Sequence, residues 1–579
     1  MNFYYSAERN VQIVIAILKA NNIRKVIASP GVTNIPFVGS IQSDPFFEVY
    51  SCVDERSAAY MACGLSEESG EPVVISCTGA TASRNYMPGL TEAYYRKIPV
   101  IALTSSRPIS KIGHLHPQVT DRTCPPSDIA IKSFVLNAVK NEEDEWDCMI
   151  KVNKAISLLT REGGGPVHLN LVSSYSEDFT VREIKPVRVI KRITKKDELP
   201  PLPQTSVAVF VGSHKPWTTE ATEALDRFCE SNNAIVLYDH TSNYTGKYGI
   251  ACAITSMQKS EKRLEYAPDL CVHIGEVSGG WLNFLKRSKV WRVSEDGKFK
   301  DFSMKLRYVF DMKEQEFFEA YSISVEKRTD YYDSCIKIEN QLRDMAKEKD
   351  IPFSNIWIAM ALAPKLPYES VLHLGIFNSL RAWNFFKTDS SIRVYSNVGG
   401  FGIDGNMSTL IGASLVNKDK LYIGIFGDLS FFYDINSLGN RNVGNNIRIL
   451  LVNNGKGTEF RNYENPGAKF GELADKYIAA GGHNGNKSQK LVRHFAEDLG
   501  YEYISANNKE EFLSVYERFV SPEITQSMIF EVFTDSEEES EALKIMRNLM
   551  EPAFSDVVKN SAKQLLGYGS IQKIKKIGQ

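Results

Sequence analysis

Short apolar runs that end in small or polar residues recur along the chain and alternate with helix-like stretches. In the first third these runs are KVIASPG (25–31), PVVISCTG (72–79), PVIALTSSRP (99–108) and GPVHLNLV (165–172). Strands that alternate with helices form βαβ units and therefore a parallel sheet. Ligands of such sheets bind at the carboxyl ends of the strands. The pattern predicts an α/β fold with its functional site at that edge.

The same alternation returns twice after a charged, proline-rich break, KKDELPPLPQTS (195–206). The later runs are VAVFVG (207–212), AIVLYD (234–239), LCVHIG (270–275), VWRVS (290–294), SVLHLG (370–375), IRVYSN (392–397), LYIGIFGD (421–428) and IRILLVNN (447–454). A chain of 579 residues is too long for a single core. We expect three doubly wound parallel-sheet domains, at residues 1–180, 200–330 and 355–550, and a C-terminal tail at 551–579.

Charge and cysteine content exclude several classes of protein. The 68 Lys and Arg residues nearly balance the 70 Asp and Glu residues, which argues against a nucleic-acid or membrane-surface partner. The nine cysteines form no C-x-x-C pair, so neither a zinc site nor a disulfide framework is expected. The sequence shows no signal peptide and no apolar run long enough to span a membrane. We therefore expect a cytoplasmic protein.

Polar residues end two neighbouring strands of the third segment. Asp428 ends one run, and Asn453 and Asn454 end the next. A carboxylate, an amide oxygen and a nearby backbone carbonyl form a ligand set that Mg²⁺ prefers. The helix expected to begin near Ser430 would direct its first N–H groups at a phosphate. Taken alone, Asp428 is also explained as the N-cap of that helix.

These residues belong to a set of blocks that resembles a known superfamily. The blocks are ASPGVTNIP (28–36), VDERSAAYMACGL (53–65), CTGATASRNYMPGLTEAYYRKIPVIALTSSRP (77–108), GPVHLNL (165–171), GIDGNMST (402–409) and GDLSFFYD (427–434). They resemble thiamine-diphosphate-dependent enzymes of the 2-oxo-acid decarboxylase and carboligase superfamily, which carry a Gly-Asp followed by an Asn-Asn. Within it they are most similar to the menaquinone-pathway carboligases, the 2-succinyl-5-enolpyruvyl-6-hydroxy-3-cyclohexene-1-carboxylate synthases.

The resemblance implies a Mg²⁺ ion that holds the cofactor's diphosphate. Its ligands would be Asp428, Asn454 and the backbone carbonyl of Lys456. Leu429 and Ser430 would contact the diphosphate itself. The Asn-Asn pair is followed here by Gly-Lys-Gly, which leaves the position of the third ligand open by one residue.

The resemblance also assigns the other end of the cofactor. Glu55 would hydrogen-bond the aminopyrimidine and drive the proton transfer that activates the cofactor; from the residues alone, it also fits a surface glutamate in a charged turn. Ile403, next to Gly402, would wedge beneath the bent cofactor. Thr78 and Asn85 would contact the pyrimidine side.

The resemblance implies a set of candidate substrate contacts and one absent cofactor. The candidate contacts are Thr33, Asn34, Arg107, His116, Gln118 and Arg381. Related acetohydroxyacid synthases hold FAD in their middle segment. Here the first strand of that segment leads into FVGSHKP (210–216), without a G-x-G-x-x-G sequence. We therefore expect no FAD.

The implied activity is decarboxylation of a 2-oxo acid and transfer of the remaining acyl-anion equivalent to an acceptor, as a transferase or lyase. In this superfamily the two halves of one active site come from different subunits, so a homodimer or a dimer of dimers is expected. A non-catalytic relative would have lost Glu55 or the metal pair, and neither is lost.

The chain departs from its nearest family at three arginines. Val32 and Thr33, Trp383 and Val398 stand where that family has arginines that grip carboxylates. We therefore expect a smaller or less anionic 2-oxo acid, such as pyruvate. Two alternatives stay open. The chain either makes the family product from 2-oxoglutarate and isochorismate, with Arg107 and Arg381 taking over the missing contacts, or acts as a plain decarboxylase.

Overall fold

The computed structural model describes residues 4–550 except 123–124, 204, 261–262, 264–265, 280–284 and 323–326. The chain divides into two compact units, the first with residues 1–199 and 296–311 and the second with residues 200–295 and 312–579. The predicted tail at 551–579 lies outside the described residues.

The first unit is built on a six-stranded parallel sheet. Its strands are β1 (Lys25–Ala28), β2 (Glu48–Ser51), β3 (Val73–Cys77), β4 (Val100–Ser106), β5 (Ser133–Leu136) and β6 (Val167–Val172), in the order β2-β1-β3-β4-β6-β5. Its helices are α1 (Arg9–Ala20), α2 (Ile35–Ile41), α3 (Glu55–Ser69), α4 (Thr81–Asn85), α5 (Met87–Arg96) and α6 (Glu142–Leu158). Every residue of β6 is buried, as expected for a parallel sheet covered on both faces.

The middle of the chain forms further parallel strands. After β7 (Lys191–Thr194) come β8 (Val207–Val211), β9 (Ala234–Tyr238), β10 (Gly249–Ala251), β11 (Leu270–Ile274), β12 (Lys289–Val293) and β13 (Leu306–Asp311). Five of these strands belong to the second unit and lie in the order β10-β9-β8-β11-β12. In the first unit, β13 pairs with β7.

A second six-stranded sheet occupies the end of the second unit. Its strands are β14 (Val371–Leu374), β15 (Arg393–Tyr395), β16 (Tyr422–Gly427), β17 (Ile447–Asn453), β18 (Glu502–Ala506) and β19 (Met528–Phe533), in the order β15-β14-β16-β17-β19-β18. The helices of this unit are α7 (Thr219–Asn232), α8 (Cys252–Ser256), α9 (Glu314–Tyr321), α10 (Asp330–Lys347), α11 (Asn355–Leu362), α12 (Asn378–Trp383), α13 (Asn406–Ser414), α14 (Asp428–Tyr433), α15 (Leu473–Tyr477), α16 (Leu491–Asp498), α17 (Lys509–Phe519) and α18 (Ser536–Arg547).

The prediction of doubly wound parallel sheets is confirmed, and each quoted apolar run coincides with an observed strand to within two residues at its start. The strands that the sequence did not predict include edge strands such as β2. Its residues are largely exposed and therefore form no apolar run. No helix among the described residues has the length and apolar character that a membrane crossing requires. The cysteines of the described segments are all free.

Candidate active site

The carboxyl ends of β16 and β17 bring the predicted metal ligands to one edge. The two strands are parallel neighbours, with Gly427 opposite Val452. Asp428 and Asn454 follow them directly, and both line a cavity of about 380 Å³ in the second unit. The predicted residues Ile403, Leu429, Ser430 and Lys456 line the same cavity.

Asp428 is a buried carboxylate held by backbone donors. Its Oδ1 accepts the N–H of Leu429 at 2.8 Å, and the N–H groups of Gly455 and Lys456 also bond to it. Burial raises its pKa to about 7, although these backbone hydrogen bonds oppose the shift. Gly427 occupies the N-cap of α14. Capping therefore does not explain why a carboxylate lies here.

The two adjacent asparagines make different contacts. Asn453 donates to Glu531 Oε1 at 2.7 Å and accepts the N–H of Gly455 at 3.2 Å. Asn454 Oδ1 is buried and has no hydrogen-bond partner among the described residues. An unpaired buried acceptor costs roughly 1–3 kcal/mol. Together with the Asp428 carboxylate on the same cavity, this oxygen fits a Mg²⁺ ion, which takes oxygen ligands.

Lys456 presents its backbone and not its ammonium group as a candidate ligand. Its Nζ pairs with Asp475 Oδ2 at 2.7 Å. Its carbonyl oxygen accepts the N–H of Thr458 at 2.9 Å and keeps a second lone pair for a cation.

A fixed turn presents Ile403 to the cavity. The Ile403 carbonyl accepts both the Ser430 hydroxyl at 2.7 Å and the Asn406 side-chain amide at 2.9 Å. Gly402 precedes it, and Phe401 before that has a φ of 53°, a conformation that non-glycine residues adopt at a cost. The turn is therefore held by hydrogen bonds to the element that carries Asp428.

Predicted residues of the first unit also converge at strand ends. The Thr33 hydroxyl lies 2.6 Å from the Thr78 hydroxyl and donates to the Ser105 carbonyl at 2.9 Å. Asn34, beside it, donates to the Ser29 carbonyl at 3.0 Å. These contacts join the loops that follow β1 and β3 to the last residues of β4.

Glu55 is the first residue of α3, and Asp54 caps that helix by accepting the Arg56 N–H at 2.9 Å. Asn85 donates to Glu55 Oε2 at 3.2 Å. The Glu55 side chain is half-exposed. The unit therefore brings the two predicted pyrimidine contacts, Glu55 and Asn85, together on an open face.

The predicted substrate residues are dispersed. Arg107 donates from Nε to the Tyr175 hydroxyl at 2.6 Å and lies over the Tyr175 ring. Arg381 binds both carboxylate oxygens of Glu459, at 2.9 and 3.0 Å. The exposed predicted residues are His116 and Gln118. Arg381 is therefore occupied by an internal partner, although that partner lines the cavity.

Sequence reading missed Arg122 in the first unit. Its Nε and Nη1 are buried and have no hydrogen-bond partner among the described residues. Its guanidinium lies against Gly79, because a Cβ on that glycine would stand 3.1 Å from Nη1. Burial lowers its pKa. Arg107 and Gln118 line a small pocket with it. No periodic or spacing signal marks one arginine within this polar loop.

Sequence reading also missed Glu539, which lines the cavity in the second unit. Its Oε1 accepts the Asn355 N–H and the Thr534 hydroxyl, both at 2.9 Å, and burial raises its pKa to about 7. A usable signal exists, because the helix buries Glu539, Ala542, Leu543 and Met546 at the spacing of one helix face.

The parallel sheets and the carboxylate–amide pair at the strand ends define the class of thiamine-diphosphate enzymes. Residues 9–123 match the family model described as thiamine pyrophosphate enzyme, N-terminal TPP binding domain. Three similar proteins are all named 2-succinyl-5-enolpyruvyl-6-hydroxy-3-cyclohexene-1-carboxylate synthase. That of Bacteroides thetaiotaomicron is 31% identical over 93% of this chain and 98% of its own length.

The relative from Phocaeicola vulgatus is 31% identical over the same shares of the two chains, 93% and 98%. The relative from Desulfotalea psychrophila is 27% identical over 89% of this chain and 96% of its own. The chain belongs to this family of thiamine-diphosphate-dependent enzymes.

Proposed function

We propose that this chain is a Mg²⁺- and thiamine-diphosphate-dependent carboligase that catalyses the reaction of its relatives, joining a decarboxylated 2-oxoglutarate to isochorismate. The observation that carries the proposal is the 31% identity over 98% of the length of a synthase. The retained Glu55, Asp428 and Asn454 agree with it.

The cofactor would lie with its diphosphate in the cavity of the second unit. Asp428, Asn454 and the Lys456 carbonyl would hold the Mg²⁺ ion, and Ser430 and Leu429 would border the diphosphate. Ile403 would support the ring system from its fixed turn. The unpaired Asn454 oxygen gives this cation assignment its strongest support.

When bound, thiamine diphosphate would supply an acidic ring carbon that can add to a 2-oxo acid and a cationic ring that can take up the electrons left by CO₂. Glu55 would hold the proton that is exchanged with the pyrimidine, at Oε1. Asn85, which donates to the other carboxyl oxygen, Oε2, at 3.2 Å, would orient the carboxyl group. Thr78, hydrogen-bonded to Thr33, would border the same ring.

The expectation of a less anionic substrate did not take the cationic group of Arg122 into account. Two of its nitrogens have no partner among the described residues, and a buried guanidinium gains most from a carboxylate that binds it bidentately. We propose that Arg122, with Arg107 and Gln118 beside it, receives a substrate carboxylate. Asn34 and His116 are further candidates for substrate contact. Arg381 would act by holding Glu459 at the cavity wall.

A second candidate function is carboligation of a smaller 2-oxo acid such as pyruvate. It is favoured by Trp383 and Val398, which are buried apolar side chains where the family carries arginines. A plain decarboxylase is the outcome if no acceptor is used.

Product analysis separates these functions. The full chain is incubated with thiamine diphosphate, Mg²⁺ and either 2-oxoglutarate or pyruvate, with and without isochorismate, while CO₂ and ligated product are measured. The proposal expects efficient product only from 2-oxoglutarate with isochorismate. Product from pyruvate instead would establish the second candidate, and CO₂ unaffected by the acceptor would establish a decarboxylase.

The Arg122→Met variant tests the carboxylate contact in the same assay. Loss of one charged hydrogen-bond partner costs about 2–5 kcal/mol, so KM for the anionic substrate should rise by at least about thirtyfold. Arg84→Met is the matched control. Among the described side-chain contacts, Arg84 on α4 bonds only to the Asp121 carbonyl, at 3.2 Å. An unchanged KM in Arg122→Met would remove this contact.

A further inference from the structure

The second unit contains another cavity, of about 500 Å³. Within the described residues it has no lining residue in common with the candidate active-site cavity. Aromatic side chains, among them Trp217, Tyr244 and Phe386, form part of its wall, and Arg343 and Asn384 also line it. The proposed function uses none of these residues.

Two buried hydrogen-bond donors in this wall lack acceptors. Asn384 is 5% exposed. Its Oδ1 accepts the His240 N–H at 2.8 Å, but its Nδ2 has no partner among the described residues, and neither has Arg343 Nη2. The Arg343 Nη1 donates to the Phe385 carbonyl at 3.0 Å, which brings the guanidinium beside the residue that follows Asn384. Buried donors normally have partners, so this pair points to a ligand that accepts hydrogen bonds.

The local charge balance indicates that the ligand is an anion. Glu339 is fully buried, and its Oε1 lies 2.9 Å from both Arg343 Nε and Lys387 Nζ. Burial would raise its pKa, but the charges of Arg343 and Lys387 outweigh burial and lower it. One carboxylate therefore faces two cations. This cluster keeps a net positive charge at the cavity wall, where an anion can pair with it.

The other charged residues that line the cavity are two carboxylates, Asp239 and Asp389, and two cations, Lys247 and Arg393. Lys247 Nζ also pairs with Glu230 Oε1 at 3.5 Å. These groups do not add to the excess, so the positive charge on the cavity wall is that of Arg343 and Lys387.

We propose that this cavity binds a small organic anion, with its phosphate or carboxylate group on Arg343 and Asn384 and its planar body against the aromatic wall. Phosphate and carboxylate share the oxyanion chemistry that these donors recognise. The site is distinct from the candidate active site, because the described residues that line the two cavities do not overlap.

Calorimetric titration of the full chain tests this site with three probes of similar shape. The probes are phenyl phosphate, benzoate and, as the neutral comparison, benzyl alcohol. Comparison with the Asn384→Asp variant separates binding in this cavity from binding in the other one. At least one anion should bind at least about tenfold more tightly than benzyl alcohol. The tighter anion then identifies the headgroup. Failure of both anions, or equal binding of the alcohol, would overturn the proposal.

Two variants locate the binding. Asn384→Asp keeps the acceptor for the His240 N–H but replaces the unpaired donor with a negative oxygen, so anion affinity should fall by at least about tenfold. Lys347→Gln changes a residue of the same helix as Arg343 whose side chain is 74% exposed, and its affinity should match the unmodified protein. Thermal melting of Asn384→Asp confirms that it is folded. Undiminished affinity in folded Asn384→Asp would contradict the assignment.

Discussion

Asp428 and Glu55 are carboxylates assigned to one cofactor, yet their surroundings differ. Asp428 is buried on a cavity wall, and burial raises its pKa to about 7 against the opposing effect of its backbone hydrogen bonds. Glu55 begins a helix on a partly exposed face and accepts one side-chain hydrogen bond, from Asn85. The second unit thus contains a recess lined by the candidate diphosphate contacts, whereas the Glu55 face is open within its own unit.

This difference indicates what the Glu55 face still needs. The Glu55 side chain is only partly buried within its own unit, so we expect another protein surface to cover it in the working enzyme. By family resemblance, we expect that surface to belong to a second subunit. The predictions below test the two regions separately and then together.

The largest effect is expected at the open face. Glu55→Gln keeps the shape of the side chain but cannot exchange a proton, so turnover should fall by roughly 10²- to 10⁴-fold while thiamine diphosphate still binds. Glu68→Gln, on the exposed side of the same helix, should retain full turnover. Steady-state kinetics and cofactor calorimetry measure the two effects. Normal turnover in Glu55→Gln would remove Glu55 from the chemistry.

A change at Asp428 should weaken cofactor binding and should not change the turnover per bound cofactor. Asp428→Asn removes the charged ligand, so the affinity for thiamine diphosphate in Mg²⁺ should fall by at least about a hundredfold. Titration calorimetry with and without the metal measures this loss. If the affinity is unchanged, Asp428 does not bind the metal.

The neighbouring asparagines sharpen that test. Asn454→Ala removes an unpaired oxygen, so the cofactor-free protein should keep its stability while Mg²⁺-dependent cofactor affinity drops by roughly tenfold. Asn453→Ala leaves Glu531 without its 2.7 Å donor and should lower the free energy of unfolding by about 1–3 kcal/mol. Denaturant unfolding and calorimetry on both variants separate the roles. If both variants lose the same stability and the same cofactor affinity, the two asparagines do not have separate roles.

The last effect is on the pH dependence of stability and concerns Glu539. Its pKa is raised from 4.5 to about 7, so the folded protein holds this proton more tightly than the unfolded chain. The associated stability is complete below pH 4.5 and is lost as pH rises through 7. Glu539→Gln mimics the protonated carboxyl and should flatten this decline, which is on the order of 3 kcal/mol. If the free energy of unfolding declines equally between pH 5 and 8 in Glu539→Gln and in the unmodified protein, Glu539 does not cause the decline.

The sequence was informative where chemistry follows strand order. Asp428 and Asn454 were predictable because parallel neighbours end at the same edge. Arg122 was not, because the loop conformation that buries it leaves no periodic trace. The sequence also did not indicate that Arg381, a predicted substrate contact, pairs with Glu459. Glu539 lies in the acidic run SEEESE, which resembles a solvent-exposed face until its spacing to Leu543 and Met546 is considered.

The central claim is that Glu55 and Asp428 are the two halves of one active site, contributed by different subunits. Mixing Glu55→Gln with Asp428→Ala subunits measures it directly, with subunit exchange verified by differential labelling. Random exchange should restore roughly a quarter of normal activity, because half of the dimers are mixed and each mixed dimer keeps one intact site. No recovery despite verified exchange would contradict the account and assign both halves of the site to a single chain.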